Sequence, residues 1–359
     1  MFFFEEPVFE ENVKPHVKMQ TCPQKGVHVL VPVLPYGLER SQINSLQRDL
    51  LGSVLDDNKV NDYMAWYYTP TAMEFTGTLA PKLTIYDCMD ELSAFSGAPA
   101  SMKNNEQALF QQAQLVFTGG ASLFDAKRKQ HPSVYLFPSS VDVSHFGQAR
   151  RAQEEPEDQK PIGKPRFGFS GVIDERMNVE LLREIAQQRP DWQFVLLGPV
   201  AKISAASLPK ASNIHFLGMK SYANLPAYLS RWDIGMLPFA LNESTRFISP
   251  TKTPEYLAAG LRVISTPIRD VVTPYGRLGL VSIAENTEEF IKAGEKLLAE
   301  GSTPEFHERA DQFLRQSSWD KTWSEMEQLI ESKLLLDNSR DAHRTTASVD
   351  QLAEGVQNV

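Results

Sequence analysis

A chain of 359 residues is too long for one ordinary hydrophobic core and fits two domains with a cleft between them. Its 42% hydrophobic and 23% charged residues belong to a globular protein, and no apolar run approaches the ~18 residues of a membrane span. A net charge of −9 argues against a nucleic-acid partner, which would call for a basic stripe or patch.

The chain opens on Phe2–Phe4 without a basic leader, and that apolar run is far shorter than a signal-peptide core. Two cysteines, Cys22 and Cys88, form neither a disulfide framework nor a zinc spacing. Both features point to a reducing cytoplasm, with the cysteines as buried small hydrophobes. The one basic cluster, Lys127-Arg128-Lys129, reads as a solvated helix face, with peripheral contact at the inner membrane face as the alternative.

Strands are expected at 2–4, 27–34, 63–68, 83–86, 115–118 and 134–137, with helices at 41–55 and 106–112. These make an N-terminal domain over 1–148. A polar, proline-rich stretch at 149–164 reads as a linker. The alternation restarts in a second domain over 165–336, with strands at 166–169, 193–197, 214–216, 234–237, 262–265 and 280–283. Helices are expected there at 178–188, 222–230, 287–298, 304–316 and 321–335, and residues 337–359 read as a disordered tail. The fold class is α/β: two Rossmann-like parallel-sheet domains facing a cleft.

In such sheets ligands bind beyond the carboxyl ends of the strands. Four post-strand loops carry suitable chemistry: Asp87 to Glu91, Ser170 to Arg176, Gly198-Pro199, and the loop holding Ser249, Thr251, Lys252 and Glu255. The last is the most informative. Ser249-Pro-Thr-Lys-Thr-Pro-Glu-Tyr-Leu-Ala-Ala-Gly260 reads as a cation-bearing loop, a helix opened by Pro254 and a stop at Gly260. First-turn N–H groups attract anions, and Lys252 adds a full charge. Glu255 then either complements the helix dipole or binds hydroxyl groups of the same ligand, so a nucleotide sugar with its diphosphate and ribose suits the pair. Gly171, after Phe169-Ser170, lets a ligand approach the backbone closely. Asp87 and Asp90 read equally as helix caps or as groups that orient a sugar hydroxyl or activate an acceptor.

Together with Ile85-Tyr-Asp-Cys-Met-Asp-Glu-Leu-Ser-Ala-Phe95, the 249–265 motif resembles retaining glycosyltransferases of the GT-B fold. The resemblance is to the family-four group with a "glycosyl transferases group 1" C-terminal domain, in a subgroup linked to cell-surface polysaccharide synthesis. It extends over residues 1 to about 335. It implies that Glu255 hydrogen-bonds the donor ribose while Lys252 and Arg176 neutralise the departing diphosphate in place of a metal. Ser170, Gly171, Gly198, Ser249 and Thr251 would complete the nucleotide site. No cofactor is implied; the partners are a nucleoside-diphosphate sugar and a glycan or lipid-linked acceptor.

Three departures stand out. Many members carry a second glutamate eight positions before Glu255, where this chain has Phe247. A histidine often follows the fourth strand of the first domain, where this chain has Asp87. The chain also begins at what resembles the family's second strand, so an acceptor-side strand and helix are expected to be missing. Asn242, Glu243, Ser244 and Thr245 are candidates to line the sugar pocket, His145 reads as structural, and Tyr67, Tyr68 and Pro70 as core or rim. The alternatives are a non-catalytic donor-binding partner of another transferase, and a nucleotide-sugar epimerase. A dinucleotide oxidoreductase is disfavoured, because no Gly-x-Gly-x-x-Gly follows an early strand.

Overall fold

The computed structural model describes residues 1–336 except Gln24, so the expected tail lies outside the described residues. The chain divides into two compact units. One comprises Met1–Tyr86 and Ala100–Gln114; the other takes Asp87–Pro99 and the described residues from Leu115 onward.

The first unit is organised on β4 (Val27–Pro35), a continuous apolar run whose Leu30, Val33 and Leu34 are fully buried. Such a run suits a strand paired on both edges. The strands β1 (Phe2–Phe4) and β2 (Val8–Glu10) pair with it in parallel, and β3 (His16–Cys22) pairs antiparallel. The sequence signal missed β2 and β3, and β3 departs from the all-parallel expectation. Its residues are mostly exposed, so it lacks the apolar run of a buried parallel strand.

After the helix Arg40–Asp57 come the parallel pair β5 (Met64–Tyr67) and β6 (Leu83–Cys88), then the helix Met102–Gln112. The two helices converge on Glu74. Its carboxylate accepts from Arg40 Nε (2.6 Å) and Nη2 (2.7 Å), and from Asn44, Ser101 and Asn105, each at 2.8 Å. The Arg40 hydrogen bond, aided by the others against partial burial, holds the carboxyl down at about 2. Tyr67 and Pro70 are buried while Tyr68 is exposed, in keeping with core and rim positions.

In the second unit β7 (Leu115–Thr118) pairs in parallel with β8 (Val134–Leu136). Beyond them lies a six-stranded parallel sheet formed by β9 (Arg166–Ser170), β10 (Gln193–Leu197), β11 (Ile214–Gly218), β12 (Ile234–Leu237), β13 (Arg262–Ser265) and β14 (Val281–Ile283). Its spatial order is β11-β10-β9-β12-β13-β14. This is the doubly wound order, which reverses direction between β9 and β12 and opens a crevice at their carboxyl ends.

Alternate residues face opposite sides. Phe194 and Leu196 join Phe167, Trp192 and Phe290 in one core, while Val195 and Leu197 join Trp232, Tyr256 and Leu257 in the other. Residues 149–164, read as a linker, are tied into this unit. Ile162 and Ala149 enter the second core, Gln159 hydrogen-bonds Trp232 Nε1 at 2.9 Å, and Arg150 forms a bidentate pair with Asp311. Scattered apolar residues at buried positions suffice here, without a periodic run. Helices at Thr287–Glu300, Pro304–Leu314 and 319–336 end the described chain.

Candidate functional site

The crevice at the sheet's reversal is lined by the loops after β9 and β12, and these carry most of the predicted side chains. The helix of the 249–260 motif spans Lys252–Ala258, so Lys252 opens it and Pro254 is its third residue, correcting the expected start. Thr253 N–H already reaches the Pro250 carbonyl (3.1 Å), which begins the turn earlier. The expected stop holds. Gly260 takes φ +82°, its N–H bonds Leu257 O (3.0 Å) and Leu261 N–H bonds Tyr256 O (2.9 Å), the paired closure that a left-handed residue permits.

Lys252 Nζ donates to both Glu255 oxygens, at 3.0 and 2.8 Å. The two residues expected to serve separate parts of a ligand are therefore each other's partners. Burial pushes the Glu255 carboxyl above its ordinary range, opposed chiefly by the Lys252 charge and hydrogen bond, with smaller help from Thr251 and His145. The ring of His145 stacks on Tyr222 at 4.1 Å and its Nε2 meets the Tyr222 carbonyl at 3.0 Å, a packed arrangement beside Glu255.

The same helix is locked to β9. Ser170 N–H donates to the fully buried Tyr256 hydroxyl at 2.7 Å. Gly235 makes this possible: a Cβ there would lie 2.6 Å from the Tyr256 ring, so only glycine lets the ring rest on the sheet. The stem of Lys252 runs beside Gly171, whose imagined Cβ would stand 3.9 Å from Lys252 Cε. A Cβ on Gly198 would stand 1.9 Å from the Gly171 carbonyl oxygen, so the ends of β9 and β10 meet backbone to backbone. Ser170, Gly171, Gly198, Lys252 and Glu255 are thus one neighbourhood.

Arg176 precedes its helix, which begins at Val179 with Asn178 as the cap. Its guanidinium chelates Asp174: Nε reaches both oxygens at 3.0 and 3.1 Å and Nη2 reaches Oδ2 at 2.7 Å. Burial works against the Arg176 charge, and the Asp174 hydrogen bonds outweigh it, raising the basicity. Nη1 has no part in that chelate. Asp90 is brought to the same place. Burial raises its carboxyl pKa, and the nearby Arg176 charge opposes the rise.

Asp87 lies inside β6 rather than after it, and is buried. Ser249 packs against Gly120, whose imagined Cβ would lie 2.7 Å from Ser249 Cβ. Asn242 and Thr245 close their own turn, with Thr245 N–H on Asn242 Oδ1 at 3.1 Å and Asn242 N–H on Thr245 Oγ1 at 3.0 Å. Ser244 joins the same turn, its hydroxyl donating to Asn242 Oδ1 at 2.7 Å, which leaves Glu243 as the outward acid of the polar loop. Phe247 is half-buried beneath the Arg246 guanidinium, 5.1 Å from its ring centre.

The basic cluster reads differently in three dimensions. Lys127 is buried and donates to Glu91 at 2.7 Å, so it is not on a solvated helix face and cannot reach a lipid headgroup. Sequence reasoning missed Asp174, Tyr256, Phe95 and Lys202. Asp174 was open to detection as a carboxylate two positions before a candidate phosphate-binding arginine. Phe95 and Lys202 were not, since only folding brings them to Arg176.

Among the described residues, no helix is long and apolar enough to cross a membrane, and no group of three His, Cys, Asp or Glu side chains could hold a metal ion.

Residues 164–300 match the family model described as Glycosyl transferases group 1. A Bacillus subtilis (strain 168) protein proposed to be the teichuronic acid biosynthesis glycosyltransferase TuaH is 24% identical over 275 residues, spanning 71% of this chain and 68% of that one. Sucrose-phosphate synthase from Thermosynechococcus elongatus shares the fold with a TM-score of 0.67 at 15% identity, over 91% of this chain and 88% of the other. Anabaena HepE, solved with UDP and glucose, superposes with a TM-score of 0.63 at 13% identity, over 85% and 86%.

Proposed function

We propose that this chain, whose residues 164–300 match the Glycosyl transferases group 1 model, is a glycosyltransferase of that type on the GT-B fold, and that it moves a sugar from a nucleoside-diphosphate sugar to a glycan or lipid-linked acceptor in surface polysaccharide synthesis. We further propose that transfer retains the anomeric configuration, needs no metal and takes place in the cytoplasm. The observation that carries the donor reading is the Lys252–Glu255 pair, set against Ser170 and Gly171 at the crevice where the sheet reverses.

The pair is a loaded switch. A diphosphate arriving at Lys252 competes with Glu255 for the ammonium donors, and the released carboxylate becomes an acceptor for ribose hydroxyls. Arg176 needs no reorganisation, because Asp174 already fixes its plane. As the sugar–phosphate bond breaks, negative charge grows on the leaving diphosphate, and fixed cations stabilise that charge more than they stabilise the bound donor. These cations do what a divalent ion would do. The similar proteins support this reading: HepE was solved with UDP and glucose, which supports the donor class, and TuaH is a proposed teichuronic acid biosynthesis glycosyltransferase, which supports the pathway.

The test is calorimetry with UDP, ADP and GDP, alongside consumption of the matching nucleotide sugars with EDTA or manganese present. Folded Lys252→Ala and Glu255→Ala variants should bind the preferred diphosphate about tenfold more weakly or worse. Unchanged affinity removes the donor site, and turnover that demands manganese removes metal independence. Phe247, apolar where an acid is common in the family, favours one second reading: donor binding without transfer. Binding with no donor consumption across a range of acceptors would select it.

A further inference from the structure

One aromatic ring near the crevice holds two cations. The Arg176 guanidinium carbon stands 5.4 Å from the centre of the Phe95 ring, and Lys202 Nζ stands 4.8 Å from it. The backbone is arranged to make this happen. Ile173 N–H bonds the Pro199 carbonyl at 2.9 Å and Ala201 N–H bonds the Ile173 carbonyl at 3.0 Å, which docks the loop after β10 onto the loop after β9. Lys202 then takes φ +60°, a left-handed conformation that a lysine seldom adopts. On the other side, Ser96 N–H reaches Glu175 Oε1 at 3.4 Å, which seats the Phe95 loop beside Arg176. The second oxygen of Glu175, Oε2, is buried and has no hydrogen-bond partner among the described residues.

A ring face fixes a cation in a particular way. It attracts the charge through its quadrupole but takes few of its N–H donors, which remain directed outward in the guanidinium plane or around the ammonium. Asp174 meanwhile holds Nε and Nη2 of Arg176. The two together fix the guanidinium and leave its Nη1 edge for a ligand. Lys202 is exposed, with its ammonium close enough to influence Asp90.

We propose that Phe95 is a positioning residue that holds Arg176 and Lys202 as a paired cationic clamp, and that Lys202 is a further cation for the donor's diphosphate. This rests on the donor-site assignment above. Asp90 and Asp174 oppose the clamp's charge, so orientation rather than net charge gives it purchase on a diphosphate.

The experiment is calorimetry of UDP, ADP, GDP and the three parent nucleosides against folded variants, with folding checked by thermal unfolding. Phe95→Leu should weaken the preferred diphosphate about fivefold and leave the nucleoside unchanged, while Phe95→Trp, which keeps a ring, should restore binding. Lys202→Gln should weaken the diphosphate by about the same factor. In an Arg176→Ala/Lys202→Ala background, Phe95→Leu should have no further effect on diphosphate affinity. Diphosphate binding unchanged or tighter in Phe95→Leu, or equal loss of nucleoside binding, overturns the proposal. Should Phe95→Leu not fold, unchanged binding by Lys202→Gln overturns it. Lys252→Ala separates the two levels: if that variant loses no affinity, the donor site itself is wrong. If it loses affinity while Phe95→Leu and Lys202→Gln do not, only the clamp is wrong.

Discussion

Tyr256 and Ser170 are joined by a hydrogen bond of 2.7 Å from the Ser170 N–H to the Tyr256 hydroxyl, which ties the helix bearing Lys252 and Glu255 to the last residue of β9. The hydroxyl sits in full burial, where burial outweighs its hydrogen bonds with Ser170 and raises its pKa well above the usual phenol value. The motif helix is therefore held by this contact and by Arg150 Nη2, which donates to the Leu257 carbonyl at 2.9 Å, as well as by apolar packing.

Tyr256→Phe removes that acceptor and strands a buried backbone N–H. The expected cost is about 1–3 kcal/mol of stability. Thermal unfolding measures it, and nucleotide affinity should fall as well, because Lys252 loses its fixed relation to Gly171. A stability unchanged from the parent would show that Ser170 finds another acceptor.

Gly198→Ala places a methyl group into the Gly171 carbonyl oxygen, 1.9 Å away, where both atoms belong to backbone or Cβ and neither can swing aside. The loops after β9 and β10 must separate, at a cost of about 3 kcal/mol. Calorimetry should show weaker diphosphate binding together with a lower unfolding temperature. A fully stable variant would mean the two loops part easily.

The raised pKa of Glu255 gives donor binding a pH dependence. Its carboxylate form is needed to accept ribose hydroxyls, and burial favours protonation despite Lys252. Affinity should therefore decline as pH falls, beginning at a pH above the ordinary glutamate value of 4.5. Titrating diphosphate affinity against pH tests this. The inflection should vanish in Glu255→Gln, and its persistence there would assign it to another group.

Glu74 governs the acid stability of the first unit. Its pKa is lowered from 4.5 to about 2, so its stabilising contribution is complete above 4.5 and is lost as pH falls from 4.5 towards 2. The shift corresponds to about 3 kcal/mol at most, since the carboxylate keeps some contact with solvent. Thermal unfolding from pH 6 to pH 2 should show a decline in the parent that is much flatter in Glu74→Gln. Equal slopes would show that other carboxylates dominate.

The α/β class and the strands of the second unit were legible because Phe167–Phe169, Phe194–Leu197 and Ile234–Leu237 are short apolar runs bounded by turn residues. The antiparallel β3 was not, since an exposed strand with lysine and glutamine carries no such signal. Lys127 was misread because a lysine in a basic run looks solvated until the fold sets Glu91 against it.

Of the candidate site, the sequence alone determined the motif: a lysine and a glutamate three positions apart at a helix start, closed by Gly260, since helix geometry and a left-handed glycine are local matters. The tertiary structure decided what those residues do before any ligand arrives. It paired Lys252 with Glu255, gave Arg176 to Asp174 and Phe95, and moved Asp90 beside Arg176. Such pairings depend on burial and on contacts between distant residues, which sequence spacing does not encode.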